Sequence, residues 1–289
     1  MELMRPKILV TGANGQLGKE IRQLEGKYKG FEFVFLSRED MPIHHPELVR
    51  QVFEAYQPSY CINCAAYTAV DRAETESDLA FQVNAEAVGV LAAVCAARNC
   101  RLIHISTDYV FDGTGSKPYL PGDPTNPQSV YGASKLEGEK QAQQLNPDCI
   151  IIRTSWVYSE FGKNFVKTML KLMKERPEIS VVNDQTGSPT YAADLAEAIL
   201  TIISGSVWIP GVYHYSNQGI ITWFDFAVAI RDRAGLTTTI HPIPSSAYPT
   251  PARRPGYSVL DLSAIRDTFR LTIRNWEDAL ADCIQKLPH

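Results

Sequence analysis

The apolar positions of this chain fall into short runs separated by longer amphipathic stretches as far as about residue 155. Runs at 7–10, 31–36, 60–66, 101–105 and 149–154 are too short for core helices, so each reads as a buried strand. Between them, 46–56 and about 78–98 read as helices, and helix formers follow Tyr131. Strands alternating with helices predict an α/β fold: a doubly wound parallel sheet with helices on both faces and ligands at the carboxyl ends of its strands. Beyond Trp156 the pattern loosens. Helices are predicted over 164–175, 192–203 and 223–234, and extended segments over 179–182 and 212–215. Pro242, Pro244, Pro249, Pro251 and Pro255 then predict an irregular loop before a last helix from about Asn275. This tail reads as a smaller mixed C-terminal lobe, with a substrate cleft between it and the sheet domain.

The first strand runs into Thr11-Gly12-Ala13-Asn14-Gly15-Gln16-Leu17-Gly18, with glycines at intervals of three and a helix behind them. A strand, a glycine turn and a helix in that order bind pyrophosphate. The glycines permit the tight turn and close approach, and the helix N-terminus offers free N–H groups. Residues 1–155 are therefore expected to form a Rossmann-like dinucleotide-binding domain, and 156–289 mainly the substrate lobe, with some segments returning to the first domain. Gly12, Asn14, Gly15, Gln16 and Leu17 are the first candidate cofactor contacts. The second strand ends in Ser37-Arg38-Glu39-Asp40. A leading acidic residue would favour NAD, whereas Ser37 with Arg38 suits a 2′-phosphate, so Arg38 points to NADPH and leaves NADH open. Ala65 and Ala66, ending the third strand, are small enough to let a cofactor lie across the sheet.

With 45% apolar residues in 289, the chain can build a proper core. A net charge of −4 and the lack of any basic run argue against a nucleic-acid surface. No apolar stretch approaches the roughly 20 residues of a membrane span, and residues 1–7 lack a signal peptide's apolar segment, so a cytoplasmic location is expected. Cys61-Ile62-Asn63-Cys64 has redox or zinc spacing, but residues three apart in a strand face opposite sides, and no second pair completes a site. His44-His45 has no third ligand. No metal site is predicted, and the six cysteines read as small buried residues in a reducing compartment.

Tyr131 and Lys135 stand four residues apart, one turn apart on the same face of a helix. Such a pair alone is more often an exposed helix face; its position relative to the glycine turn and to Thr107, at the end of the fourth strand, changes that reading. A tyrosine with its usual pKa of about 10 is a poor acid–base group, and a fixed ammonium nearby lowers that value. Thr107 would hydrogen-bond a substrate carbonyl, Tyr131 would donate a proton as nicotinamide delivers hydride, and Lys135 would tune Tyr131 and hold the nicotinamide ribose. Trp156, just after the fifth strand, suits a hydrophobic wall for a sugar. Arg253-Arg254, in the proline-rich loop, suits a diphosphate.

This combination resembles the extended short-chain dehydrogenase/reductase superfamily. Four segments narrow the resemblance to the dTDP-4-dehydrorhamnose reductase family: Ser106-Thr107-Asp108-Tyr109-Val110-Phe111-Asp112-Gly113, Arg153-Thr154-Ser155-Trp156-Val157-Tyr158, Asn183-Asp184-Gln185-Thr186-Gly187-Ser188-Pro189-Thr190 and Tyr248-Pro249-Thr250-Pro251-Ala252-Arg253-Arg254-Pro255. The resemblance implies reduction of a 4-keto sugar nucleotide, the last step of dTDP-L-rhamnose synthesis. It implies Thr107, Tyr131 and Lys135 as catalytic. Gly15, Gln16, Leu17, Ala66, Tyr67 and Thr68 would touch the cofactor, and Thr107, Asp108 and Trp156 the sugar; Arg254, from its place in the proline-rich loop, joins them as a candidate contact to the sugar nucleotide. Pro42 and Ile43 stand where the family usually has an acidic and then an apolar residue near the adenine, which departs from its pattern. Magnesium accompanies some members, but no carboxylate cluster here stands out as its site; a homodimer is left open. Two alternatives share the fold. A sugar-nucleotide dehydratase or epimerase is one, although a dehydratase follows the Thr-Asp pair with glutamate and this chain has Tyr109. A non-catalytic subunit like the methionine adenosyltransferase beta subunit is the other.

Overall fold

A computed structural model describes residues 5–287. The first half runs β1 (Lys7–Thr11), α1 (Gln16–Leu24), β2 (Glu32–Leu36), α2 (Pro46–Tyr56), β3 (Tyr60–Asn63), the helical run α3 (Ser77–Ala97), β4 (Arg101–Thr107), α4 (Val130–Leu145) and β5 (Ile150–Thr154). The second half adds α5 (Phe165–Glu175), β6 (Glu178–Val182), α6 (Ala192–Ser204), β7 (Gly211–Tyr215), α7 (Trp223–Arg233), β8 (Thr239–Ile243), α8 (Ser263–Phe269) and α9 (Trp276–Lys286).

The doubly wound parallel sheet expected from the alternation is present. Its strand order is β7-β5-β4-β3-β1-β2, and every neighbouring pair is parallel. From β2 the chain crosses back to lay β3 on the far side of β1, and this reversal opens a crevice at the carboxyl ends of β1 and β3. Alternate residues of each strand enter opposite cores. Ile8, Val10, Ile62 and Ile103 pack with Ile21 of α1 and Leu195 of α6. Leu9, Cys61, Leu102 and Ile151 pack on the other face with Phe53 of α2 and Leu91 of α3. A third core, including Met169, Phe226, Ile230, Trp276 and Leu280, fills the smaller lobe.

Several expectations are corrected. β3 stops at Asn63, so Cys64, Ala65 and Ala66 leave the sheet earlier than the apolar run implies. Cys61 and Cys64 do diverge, one into each core. The long helix is interrupted by a π turn at Gln82–Glu86. At 21 residues α3 is long and apolar enough to cross a membrane, contrary to the expectation that no apolar stretch approaches that length. Its composition serves the interior, because Ala87, Val88, Leu91, Ala92 and Cys95 are buried in the core beneath the sheet. The proline-rich stretch is not wholly irregular either. Pro242 lies inside β8, opposite Val181 of β6, in a two-stranded parallel ribbon where each strand keeps an open side and a missing N–H is tolerated.

Candidate active site

The glycine turn fits against the end of β3. Gly12 has φ +63°, and a Cβ there would come within 2.7 Å of the Ala65 amide nitrogen. Only glycine takes both the left-handed backbone and that approach. Gly15 caps α1 at its N-terminus, where the unpaired N–H groups lie. A crevice of about 340 Å³ brings Gly12, Arg38, Ala66, Tyr67 and Thr68 together above the switch point, with Met41, Pro42 and Ile43 also on its wall. Pro42 and Ile43, which depart from the family pattern, thus lie beside this crevice. Gln16 reaches toward the smaller lobe instead, accepting from Asn164 Nδ2 at 2.8 Å, and the Leu17 side chain is buried in the first core. Asn14 and Gly15 are exposed on the turn.

Asn84, which the sequence reading passed over, holds the crevice loop. Its Oδ1 accepts from the Tyr67 amide at 2.8 Å, and its Nδ2 lies 3.0 Å from both the Tyr67 carbonyl and Ser134 Oγ. Asn84 sits in the π turn of α3, whose carbonyl presses on Gly138 of α4; a Cβ at Gly138 would run into it. A π turn at this spot is what lets one side chain clamp the loop and α4 together.

Thr107 ends β4 and opens the next turn, with the Tyr109 amide 3.3 Å from its hydroxyl oxygen and its own O–H donated to Asp108 Oδ1 at 3.0 Å. Ser129 caps α4 by accepting from the Gly132 amide at 3.1 Å, which aims Tyr131 out of the first turn. The Tyr131 ring meets Tyr109 edge-on, with centroids 5.5 Å apart. Burial pushes the Tyr131 hydroxyl above its ordinary range; Asp108 and Tyr109 add to this and Thr107 opposes it. Lys135 donates to the Ile105 carbonyl at 2.6 Å and faces His104 Nε2 at 3.4 Å. Burial pushes Lys135 down to about 8, against Glu139 and Cys64. The expected lowering of Tyr131 by a neighbouring ammonium is not what this geometry gives, because the lysine head is turned into the strand ends. Behind them lies a second group missed from sequence, the buried pair Glu139–Arg153, held at 2.7 Å with Ser106 also donating to the carboxylate.

A cavity of about 630 Å³ opens beside Tyr109, with Phe165, Trp223, Tyr248 and Arg254 on its wall. Trp156 supports it from behind: its backbone has φ +49°, its ring stacks on Trp223 at 3.6 Å, and Gly187 makes room for it. A left-handed tryptophan is costly and persists only where packing dictates it. Arg254 donates to Asp71 Oδ2 at 2.7 Å and approaches Tyr109 Oη at 3.4 Å, so it ties the proline-rich loop to the crevice side of the site. Asp108 is buried with Oδ2 unpaired, and burial pushes it up to about 6, with Ser258 and Thr107 opposing. Among the described residues, no group of three or more His, Cys, Asp or Glu side chains is placed to hold a metal.

The model of the family described as "RmlD substrate binding domain" matches residues 5–288. The dTDP-4-dehydrorhamnose reductase of Burkholderia thailandensis is 43% identical over 97% of this chain and 99% of that protein. The chain belongs to the dTDP-4-dehydrorhamnose reductase family. The spore coat polysaccharide biosynthesis protein SpsK of Bacillus subtilis is 44% identical over 97% of both chains. The dTDP-4-dehydrorhamnose reductase of Bacillus anthracis, solved in complex with NADP, superposes with a TM-score of 0.94 at 38% identity, over 98% of this chain and all of that one. Within this reductase-family chain, Thr107 and Tyr131 stand together beside Tyr109, which lines the larger cavity, and Lys135 follows one turn on along α4. Trp223 and Tyr248 also line the cavity; Tyr248 opens the fourth of the segments that carry the resemblance, whereas Trp223 drew no attention in the sequence. The only sequence signal for Trp223 was its place at the start of a predicted helix.

Proposed function

We propose that this chain reduces the C4 keto group of dTDP-4-dehydro-L-rhamnose to give dTDP-L-rhamnose, using NADPH. The observation that carries the reading is the buried Tyr131 hydroxyl, paired with Thr107 and set edge-on against Tyr109 of the cavity wall: burial keeps its proton in place at neutral pH, the state a reduction consumes. The residues present suit a dinucleotide, since Gly12 lies on the crevice wall with Ala66, Tyr67 and Thr68, and the glycine turn runs directly into the N-terminus of α1. The Gly12–Gly15 turn would hold the pyrophosphate, Arg38 the 2′-phosphate, and Ala66, Tyr67 and Thr68 the adjoining stretch. NADPH, when bound, supplies hydride to C4. Thr107 turns its O–H from Asp108 to the keto oxygen, Tyr131 gives that oxygen its proton, and Lys135 holds the ribose side. Asp108 and Arg254 bind the sugar nucleotide, with Trp156 acting through Trp223. On this reading, residues 1–155 carry the cofactor and 156–289 mainly the sugar, with β7 and α6 returning to the sheet domain.

A dehydratase needs an acid–base group where Tyr109 stands. Burial pushes that hydroxyl up to about 12, out of range for proton exchange at neutral pH. The test is NADPH oxidation with dTDP-4-dehydro-L-rhamnose, run beside NADH. One NADPH consumed per dTDP-L-rhamnose formed is expected. No oxidation, or accumulation of a 4-keto-6-deoxy sugar from dTDP-glucose with catalytic NAD, overturns the reading.

A further inference from the structure

Gln185, just beyond β6, lies on the wall of the cavity of about 630 Å³, is 7% exposed, and has no part in the reaction above. Its Nε2 donates to Ser245 Oγ at 2.8 Å, the one hydrogen bond of this side chain among the described residues. Ser245 follows β8 and turns away from Gln185 to Asp184. Its hydroxyl donates to Asp184 Oδ1 at 2.6 Å, and its amide reaches both carboxylate oxygens, at 2.9 and 2.8 Å. The Ser245 hydrogen bonds hold the Asp184 carboxyl below its ordinary range, so it is ionised and can only accept. The Ser245 proton therefore points at Asp184, and Ser245 Oγ offers Gln185 lone pairs alone. The NH₂ of Gln185 meets them, and Oε1 is left as a bare acceptor on the cavity wall.

The same wall carries partly exposed apolar surface from Leu172, Val182 and Ile243, and the Tyr248 ring is 65% exposed. Apolar side chains, an open aromatic face and one oriented acceptor suit a flat heterocycle with a single N–H on its edge. A sugar ring, with a hydroxyl on most of its carbons, calls for several polar partners instead. We propose that Gln185 is a specificity-determining residue: its Oε1 accepts the N3–H of the pyrimidine base of the nucleotide sugar, and Asp184, through Ser245, is the positioning residue that aims it. Thymine carries a proton on N3 between two carbonyls. Cytosine carries a lone pair there and sets acceptor against acceptor. A buried acceptor left unpaired is penalised, so the site discriminates by rejecting the base that lacks the N–H. This inference rests on the reductase reading and names what in this chain reads the base of its dTDP sugar.

The test is calorimetric titration of the full chain with dTDP, dCDP and N3-methyl-dTDP. The wild type should bind dTDP about tenfold more tightly than either of the others. In Gln185→Ala the three affinities should come together; a methyl group that merely clashed with the wall would keep its penalty there. Asp184→Ala alters an exposed carboxylate and leaves the cavity wall intact. It frees the Ser245 proton to turn to Gln185, the amide can then reverse, and the preference for dTDP should shrink. This second variant decides the matter if Gln185→Ala fails to fold. A preference unchanged in either folded variant, or no preference for dTDP in the wild type, overturns the proposal. NADPH oxidation with the sugar nucleotide is read separately. Turnover without base preference sinks this proposal alone, and base preference without turnover sinks the reductase reading alone.

Discussion

Tyr131 and Lys135 shift in opposite directions for one reason: both are desolvated, and desolvation penalises whichever form is charged. At neutral pH the tyrosine therefore holds its proton firmly, while the lysine titrates within reach of physiological pH. Tyr131→Phe keeps the ring against Tyr109 and removes the transferable proton. Turnover should fall by about 10²–10⁴-fold with the NADPH dissociation constant nearly unchanged, measured by steady-state kinetics and nucleotide fluorescence. Arg38 is exposed on the crevice wall, where a 2′-phosphate would meet it. Arg38→Ala should weaken NADPH by roughly 1.5–3 kcal/mol and leave NADH alone; equal effects on both would make Arg38 a plain surface charge. The Tyr131–Lys135 pair was legible because helical spacing alone puts the two on one face. Asn84 and Trp223 were not, because their roles depend on partners 17 and 67 positions away along the chain.

At the scale of elements, the position of α4 decides the site. Gly138 lets this helix lie on the π turn that carries Asn84, and Gly132 lets its first turn lie on the Tyr109 carbonyl. Gly138→Ala should push α4 away from α3, an overpacking that costs about 1–3 kcal/mol and disturbs Tyr131 and Lys135 together. The expected result is a melting temperature lower by several degrees and a kcat that falls more than KM rises; a fully active variant with unchanged melting would show that α4 can relax in place. Most helices and sheet strands could be read from their periodicity, α2 to the residue. The π turn could not, since nothing in local spacing marks an inserted residue. The strand through Pro242 was hidden for a different reason: proline normally excludes a strand, and only pairing along one open edge permits it.

Across the whole molecule, Glu20 ties α1 to the smaller lobe. Ser159 donates to it at 2.7 Å, Glu160 stands against it, and Tyr191 and Lys286 close the far side on Glu160. Burial first, then Glu160, pushes Glu20 up to about 8 from an ordinary value of 4.5. A carboxyl that binds its proton more tightly folded than unfolded contributes stability that is complete below the unfolded value and is lost as pH rises through the folded one. The melting temperature should therefore fall as pH is raised from about 5 to about 8, and Glu20→Gln should flatten that slope, as followed by thermal denaturation across the range. A slope unchanged by the substitution would mean that other groups set the pH dependence. The sequence by itself determined the alternation of strands and helices, the glycine turn and the one-turn spacing of Tyr131 and Lys135, because each is enforced by neighbours along the chain. Only the tertiary structure decided which way the lysine head points, which aromatic ring faces the cavity and which carboxyl keeps its proton. Those depend on burial and on contacts between segments far apart in sequence, and a local pattern carries no record of either.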